Sequence, residues 1–288
     1  MSSTFTTRYT EPIEGLIRRR KSVRTYSSVE VPAEIKDEIK NYFNRLKGPF
    51  QTKIRFELLD KRTNNIRAKV KLGTYGVIQG APSFIAAVVE KEEHSLLQLG
   101  YIFEDLILYL TSLGLGTCWL AGTFDKKNFS LAVKVEPEEM LPIVSPIGYP
   151  SWIRSPIDVL IKPLPGRKRR TKWNYLFFSD DFDLPLQADA AGGYALPLEM
   201  VRLAPSASNK QPWRIVRKNR SFHFFLDHDP VYASRYPYDI QRIDIGIAMF
   251  HFENTAVELG LHGRWTIQKP ALKHAPGSSE YIISWEAE

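Results

Sequence analysis

The chain has 288 residues, 43% of them hydrophobic and 12% aromatic, and a formal net charge of +7. That composition can build a real core for one large domain or two small ones, which excludes a disordered chain. "MSSTFTTRYTEP" at the start holds no apolar run of signal-peptide length, and a single cysteine, Cys118, excludes an internal disulfide, so a reduced cytoplasmic setting is expected.

The positive charge is concentrated in "RRRKSVR" (Arg18 to Arg24) and "RKRRTK" (Arg167 to Lys172). Such runs serve solvated surfaces, nucleic-acid contacts or phosphate sites, and composition alone does not choose among them. After the first run, "VPAEIKDEIKNYFNRL" places Pro32 at a helix start and leads to a strand, "KIRFELLD". Leu106 to Phe124, "LILYLTSLGLGTCWLAGTF", is uncharged and just reaches membrane-spanning length. Its glycines, Ser112 and threonines, with the change of character at "LGLG", predict instead a buried helix, a glycine turn and a buried strand "TCWLAG", with no membrane span. Cys118 in this apolar stretch is expected to be a buried structural thiol. "LPIVSPIGYP" is strand-like.

"SDDFDLPLQADAAGGYALP" (Ser179 to Pro197), acidic and rich in Ala, Gly and Pro, reads as a connection. Beyond it, "LPLEMVRLAPSASN" predicts a helix start and "QPWRIVRK" a strand. His223 and His228 flank the strand-like "FHFFLDHD", where a surface or packing role is expected and no metal site. Ile245 to Trp265 reads as a further largely apolar helix that stops at a glycine turn and feeds a strand, ahead of the strand-like "SEYIISWEAE".

That helix echoes an earlier one. "LGYIFEDLILYLTSLGLGTCW" (Leu99 to Trp119) and "IGIAMFHFENTAVELGLHGRW" (Ile245 to Trp265) align without a gap at an offset of 146 residues. Gly100 meets Gly246, the Leu-Gly-Leu triplets coincide, and Trp119 meets Trp265, which predicts an internal duplication. The expected fold class is α+β, helices alternating with strands twice over. The expected boundaries are 1–178 for the first half, 179–196 for the connection and 197–288 for a shorter second half that supplies the loop 204–213.

Four stretches, "RRRKSVRTY", "LGLGTCWLAGTFD", "IGYP" and "APSASNKQPWRIV", together and in this order, resemble the nitroreductase family of FMN-dependent oxidoreductases. The chain is most similar to the subgroup with two nitroreductase-like halves in one polypeptide. The resemblance implies a nitroreductase-like fold in which one chain mimics the usual homodimer, a monomer acting as a pseudo-dimer. It also assigns roles. Arg20, Ser22 and Arg24, with Lys21 between them, match the run that binds the flavin phosphate and ribityl chain; a dianion suits arginine forks and a short hydroxyl donor. Lys168 and Arg170 match a second phosphate contact, for which Arg167 and Arg169 would also serve. The backbone of Ala121 and Gly122 matches the segment that donates an N–H to flavin N5, and relatives with a glutamate at the position of Ala121 leave substrate polarity open. Pro205, Ser206, Ala207, Asn209 and Gln211 match the loop that crosses to the flavin from the other subunit. Tyr75, Trp119 or Tyr149 is a candidate to line the ring.

Neither half repeats the other's site. The second has no counterpart of "RRRKSVR" before Pro197, and "NRLKGPFQTKIRF" stands in the first where the Ser-x-Asn-x-Gln-Pro-Trp loop would be. One FMN per chain is therefore expected. The implied reaction passes a hydride from NAD(P)H through flavin N5 to a small electron acceptor such as a nitroaromatic or quinone, with no side-chain nucleophile. Two alternatives remain at this stage: a flavin-binding module without turnover, and a basic nucleic-acid-binding protein, the latter disfavoured by the absence of aromatics within "RRRKSVR" and of any zinc-finger, homeodomain or RNA-recognition signature. No Gly-x-Ser-x-Gly elbow or phosphate loop is present, and "LGLGTC" lacks the third glycine of a dinucleotide fingerprint.

Overall fold

A computed structural model describes residues 9–62, 70–151 and 169–288. The chain forms two compact units, one from Met1–Ser95 and Ile102–Lys162, the other from Leu96–Tyr101 and Pro163–Glu288. Both are α+β.

In the first unit, helices Ile13–Arg19 and Ala33–Phe43 precede β1 (Ile54–Asp60) and β2 (Ser83–Glu90). The long helix Ser95–Ser112 follows, of which Leu96–Tyr101 belongs to the second unit, then β3 (Gly116–Thr117), helix Lys126–Ala132 and β4 (Glu139–Gly148). The sheet order is β1-β2-β4-β3, with antiparallel pairing throughout. β2, "SFIAAVVE", is buried along nearly its whole length because both its faces are covered, so it shows an unbroken apolar run rather than alternation. One face packs into a core with Phe84, Phe124 and Phe129, whose rings meet edge to face at 5.2 and 5.3 Å.

The second unit holds β5 (Phe177–Ser179), helix Ala195–Leu203, β6 (Trp213–Lys218), β7 (Ser221–Asp227), the short helix Pro230–Ala233, the long helix Gln241–Glu258, β8 (Gly263–Thr266) and β9 (Ser279–Ala287). Its sheet order is β5-β6-β7-β9-β8. Without β5 this repeats the first sheet strand for strand, and the register shift in the β2·β4 pair recurs in β7·β9. β5 pairs parallel to β6 and straddles residue 178, the expected end of the first half. Phe224, Phe252, Trp265 and Trp285 fill this core, with Trp265 in edge contact with both Phe224 and Trp285 at 5.2 Å.

The echo in sequence is an echo in structure. Helices Ser95–Ser112 and Gln241–Glu258 each have 18 residues and stand 146 residues apart. Each ends in the same turn: Gly114 (φ +74°) donates to Thr111 O and Leu115 to Leu110 O, while Gly260 (φ +75°) donates to Val257 O and Leu261 to Ala256 O. A left-handed glycine with this bond pair is a Schellman cap, which satisfies the last helix carbonyls. Within the second unit the echoed glycines touch. A Cβ on Gly100 would lie 2.1 Å from Ile243 O, and one on Gly246 would lie 2.0 Å from Leu97 O. Leu97 and Ile243 are themselves 146 apart, so the contact is reciprocal.

Expectation and structure differ in three places. The strand expected over "TCWLAG" is only Gly116–Thr117 with an isolated bridge from Leu120 to Val144, because the segment turns away to form a loop. Pro32 caps its helix from outside rather than opening the first turn. β2, β5 and the helix Ile13–Arg19 were not anticipated. No described helix is long and apolar enough to cross a membrane.

Candidate functional site

The basic run "RRRKSVR" divides by function at the end of its helix. Arg18 pairs with Glu14 one turn earlier at 2.8 Å, and Arg19 makes two bonds to Glu11. Both stay at the surface, neutralised. At Arg20 the helix stops, and the chain runs on extended beside β3: Ser22 bridges Thr117 in parallel, and Val23 N–H donates to Thr117 O at 2.8 Å. Val23 reaches this depth because β3 opens with Gly116, where a Cβ would lie 2.9 Å from three Val23 carbons. Lys21 and Ser22 are exposed and Arg24 is half-buried.

Arg20 turns inward. Its side chain is 8% exposed, and its Nε lies 3.7 Å from Oε1 of Glu104, which is fully buried. Glu104 Oε2 accepts the indole N–H of Trp119 at 3.0 Å. Neither Nε nor Nη1 of Arg20 has a hydrogen-bond partner. Orphaned buried donors on a guanidinium are costly, and an incoming anion is the natural partner. Cys118 is buried, as expected, and burial raises its thiol pKa; the charges of Arg24 and Arg20 and a hydrogen bond from Ser22 oppose that rise. Ser22 and the charges of Arg24 and Arg20 thus all act on Cys118, three residues before Ala121.

The Ala121–Thr123 loop is fixed at both ends. Leu120 exchanges both backbone bonds with Val144 at 3.0 Å; Asp125 donates its N–H to Gly73 O and caps the next helix through Asn128 N–H. Between these anchors, the N–H groups of Ala121 and Gly122 make no hydrogen bond among the described residues. Of the three aromatic candidates, Trp119 is committed to Glu104 and to an edge contact with Phe103, whereas Tyr75 is 72% exposed at φ +48°.

In the second unit, residues 204–211 form a tight loop with Ser208, Asn209 and Gln211 all at positive φ. Such strain persists only where the surroundings hold it. Here Asp244, buried on the long helix, accepts Ala207 N–H with both oxygens at 3.0 and 3.2 Å, and burial pushes its carboxyl well above the ordinary range. Lys210 pairs with Asp229 at 2.6 Å, and Tyr232 bonds Ser208 through their hydroxyls. Ser206 Oγ accepts Gln211 N–H. Arg170 belongs to the same assembly: its Nη1 donates to Ala204 O at 2.6 Å and Asn209 Oδ1 at 3.2 Å. Gln211 is 3% exposed, and its amide ties Thr171, Arg169 and Asn209 together, so its part is to build the loop. Pro205, Ser206, Ala207 and Asn209 are half-buried on the loop's surface. Lys168 and Arg167 lie outside the described residues.

Two residues that hold these pieces, Glu104 and Asp244, were missed from sequence. The available signal was a carboxylate inside an otherwise apolar helix, "YIFEDLILYL" and "RIDIGIAMF". A buried acid must have a partner. The acid clusters Asp181–Asp183–His274 and His228–Asp239–Glu280 are internally paired: Asp181 accepts N–H groups of Phe182, Lys273 and His274, and Arg242 bonds Glu280.

The family described as "Putative TM nitroreductase" matches residues 13–256. Among solved structures, a protein described as a putative nitroreductase from Thermotoga maritima matches over 99% of both chains, with 22% identity and a TM-score of 0.60. An FMN-dependent nitroreductase from Clostridium difficile matches 50% of this chain and 93% of its own at 22% identity and TM-score 0.40. A nitroreductase family protein from Clostridium novyi matches 49% and 87% at 21% identity and TM-score 0.40. No curated protein matches. With its α+β nitroreductase-like fold and a family match over most of its length, the chain belongs to the "Putative TM nitroreductase" family.

Proposed function

We propose that this protein binds one FMN per chain and is an NAD(P)H-dependent oxidoreductase acting on a small acceptor such as a nitroaromatic or quinone. Arg20 carries the reading: a buried guanidinium with two orphaned donors fits a phosphate, to which Lys21, Ser22 and Arg24 are proposed to add further donors. Bound FMN would supply hydride transfer between NAD(P)H and the acceptor. The chain's own residues would place it. Ala121 and Gly122 offer N–H groups without a partner among the described residues, on a loop fixed at both ends, suited to a ring nitrogen. Arg170, Pro205, Ser206, Ala207 and Asn209, held by Asp244, are proposed to contact the same FMN, with Lys168 as a further phosphate contact.

A single FMN fits the asymmetry of the two units. Among described residues β8 pairs only with β9, and Gly263, which opens β8 as Gly116 opens β3, is packed by Trp285. Among the described residues, no segment pairs with β8 as Ser22–Val23 pairs with β3.

The test is the visible absorption spectrum of the purified protein, with released flavin quantified, followed by anaerobic mixing with NADH and with NADPH. One FMN per chain, lost in Arg20→Ala/Arg24→Ala and bleached by a nicotinamide, is the expected result. Bound flavin that stays oxidised in excess reductant would leave a binding protein without turnover. A chain that takes up no flavin would overturn the proposal.

A further inference from the structure

Both echoed tryptophans bond a carboxylate on the long helix of their unit, but the two carboxylates have different second partners. Trp265 Nε1 donates to Glu253 Oε2 at 2.6 Å, and the same oxygen accepts the hydroxyl of Tyr101, a neutral donor whose bond is thereby complete. Trp119 Nε1 donates to Glu104 Oε2 at 3.0 Å, and the other oxygen faces Arg20, a cation left with unmade bonds.

We infer that Glu104 is a positioning residue that holds Arg20 ready for the phosphate of FMN. The inference rests on the FMN reading above and goes beyond it. At 3.7 Å the carboxylate lies too far from Nε to use up its hydrogen, yet close enough to hold a buried guanidinium by charge. Trp119 fixes the carboxylate in turn: its N–H occupies Oε2, and its ring is wedged edge-on against Phe103 at 4.9 Å. The order of support is therefore indole, carboxylate, guanidinium. An arginine on its own would sample many rotamers and prefer solvent to a buried site, so anion binding would have to order it. With Glu104 in place the donors are already aimed, and the phosphate completes bonds the free protein leaves open.

The pairing also sets a specificity. Because the acid faces Arg20, its charge should matter far more to a phosphorylated flavin than to riboflavin, which shares the ring and ribityl chain. The experiment is titration of flavin-stripped protein with FMN and with riboflavin, for wild type, Glu104→Gln, Trp119→Phe, Arg20→Ala and the double variant Glu104→Gln/Arg20→Ala. Glutamine still accepts from Trp119 but removes the charge facing Arg20. We expect Glu104→Gln to weaken FMN about tenfold while riboflavin changes less than about twofold, and the double variant to bind FMN no more weakly than Arg20→Ala alone. Trp119→Phe should show the same selectivity at a smaller size. Equal losses for both flavins would mean that Glu104 merely supports the fold, and additive losses in the double variant would mean that it acts apart from Arg20. Unchanged or tighter FMN binding by Glu104→Gln overturns the inference as well. Should that variant fail to fold, Trp119→Phe decides by the same criterion. Wild-type protein that binds neither flavin would fail the FMN reading itself, and the inference with it, an outcome distinct from flavin binding without phosphate selectivity.

Discussion

The two units share a scaffold and differ at its edge. Each has the same order of four antiparallel strands, a register shift in the same strand pair, and an 18-residue helix closed by the same glycine turn. In the first, the strand after that turn is two residues long and lies beside Ser22 and Val23. Its counterpart in the second has four residues, closes on Trp285 and gains no further neighbour among the described residues; the second sheet instead gains a parallel strand at its far edge. Caps and apolar strands can be kept by any sequence that preserves turn chemistry and burial, whereas a cationic edge is kept only while it has something to bind. The two units thus share strand order, register and helix caps, and differ in what lies beside the strand after the glycine turn.

The largest test of this comparison concerns what the halves share. Gly100→Ala and Gly246→Ala should each cost about 3 kcal/mol or more, because each new methyl would overlap a carbonyl oxygen across the helix contact. Urea unfolding should show similar losses for both. If one variant kept wild-type stability while the other unfolded, the reciprocal contact would be refuted.

Acid should separate the units next. Burial, with Lys218 nearby, lowers His223 from 6.5 to about 4, so its contribution is full above about pH 6.5 and is lost as pH falls through 4. In the first unit Arg55 holds Glu139 down to about 2, and that contribution, present above 4.5, fades only toward pH 2. Between pH 6.5 and 4 the histidine's loss thus falls on the second unit, opposed there by Asp244, whose raised carboxyl holds its proton in the folded state as the pH falls. Urea unfolding of wild type and His223→Gln at several pH values in this window checks it; a limb unchanged by the substitution would assign the acid sensitivity elsewhere. The smallest effect is expected at the paired caps. Gly114→Ala and Gly260→Ala meet open space and pay only for a left-handed residue, about 1 kcal/mol each. Unequal costs would show that the two turns have diverged in ways their hydrogen bonds conceal.

Much of this was legible in the sequence because it depends on local signals. The glycine turns, the long helices and the strands around "WRIVRK", "FHFFLD" and "YIISWEA" follow from apolar runs broken by turn residues. β2 was not recognised, since an unbroken run of six apolar residues has no alternation to read. β5 is three residues long and is defined by its partner rather than by its own sequence. At the site, the basic run and the Ser-x-Asn-x-Gln loop stood out as motifs, but the division of labour within the run did not. Arg18 and Arg19 are spent on acids one or two turns earlier, and Arg20 differs from them only in where the helix ends. Glu104 and Asp244 act at long range, and no spacing rule announces an acid whose partner lies 84 or 37 residues away.

The way the chain is shared between the units constrains how it can be taken apart. Leu96–Tyr101 lies in sequence between two parts of the first unit yet belongs to the second, and β5 precedes the acidic connection yet completes the second sheet. A protease cutting once in that connection would leave β5 on the amino-terminal fragment and its neighbour β6 on the other. The amino-terminal piece would hold β5 and Leu96–Tyr101 of the second unit, so the carboxy-terminal half expressed by itself would have an unfinished sheet, while co-expression would give fragments that complement each other.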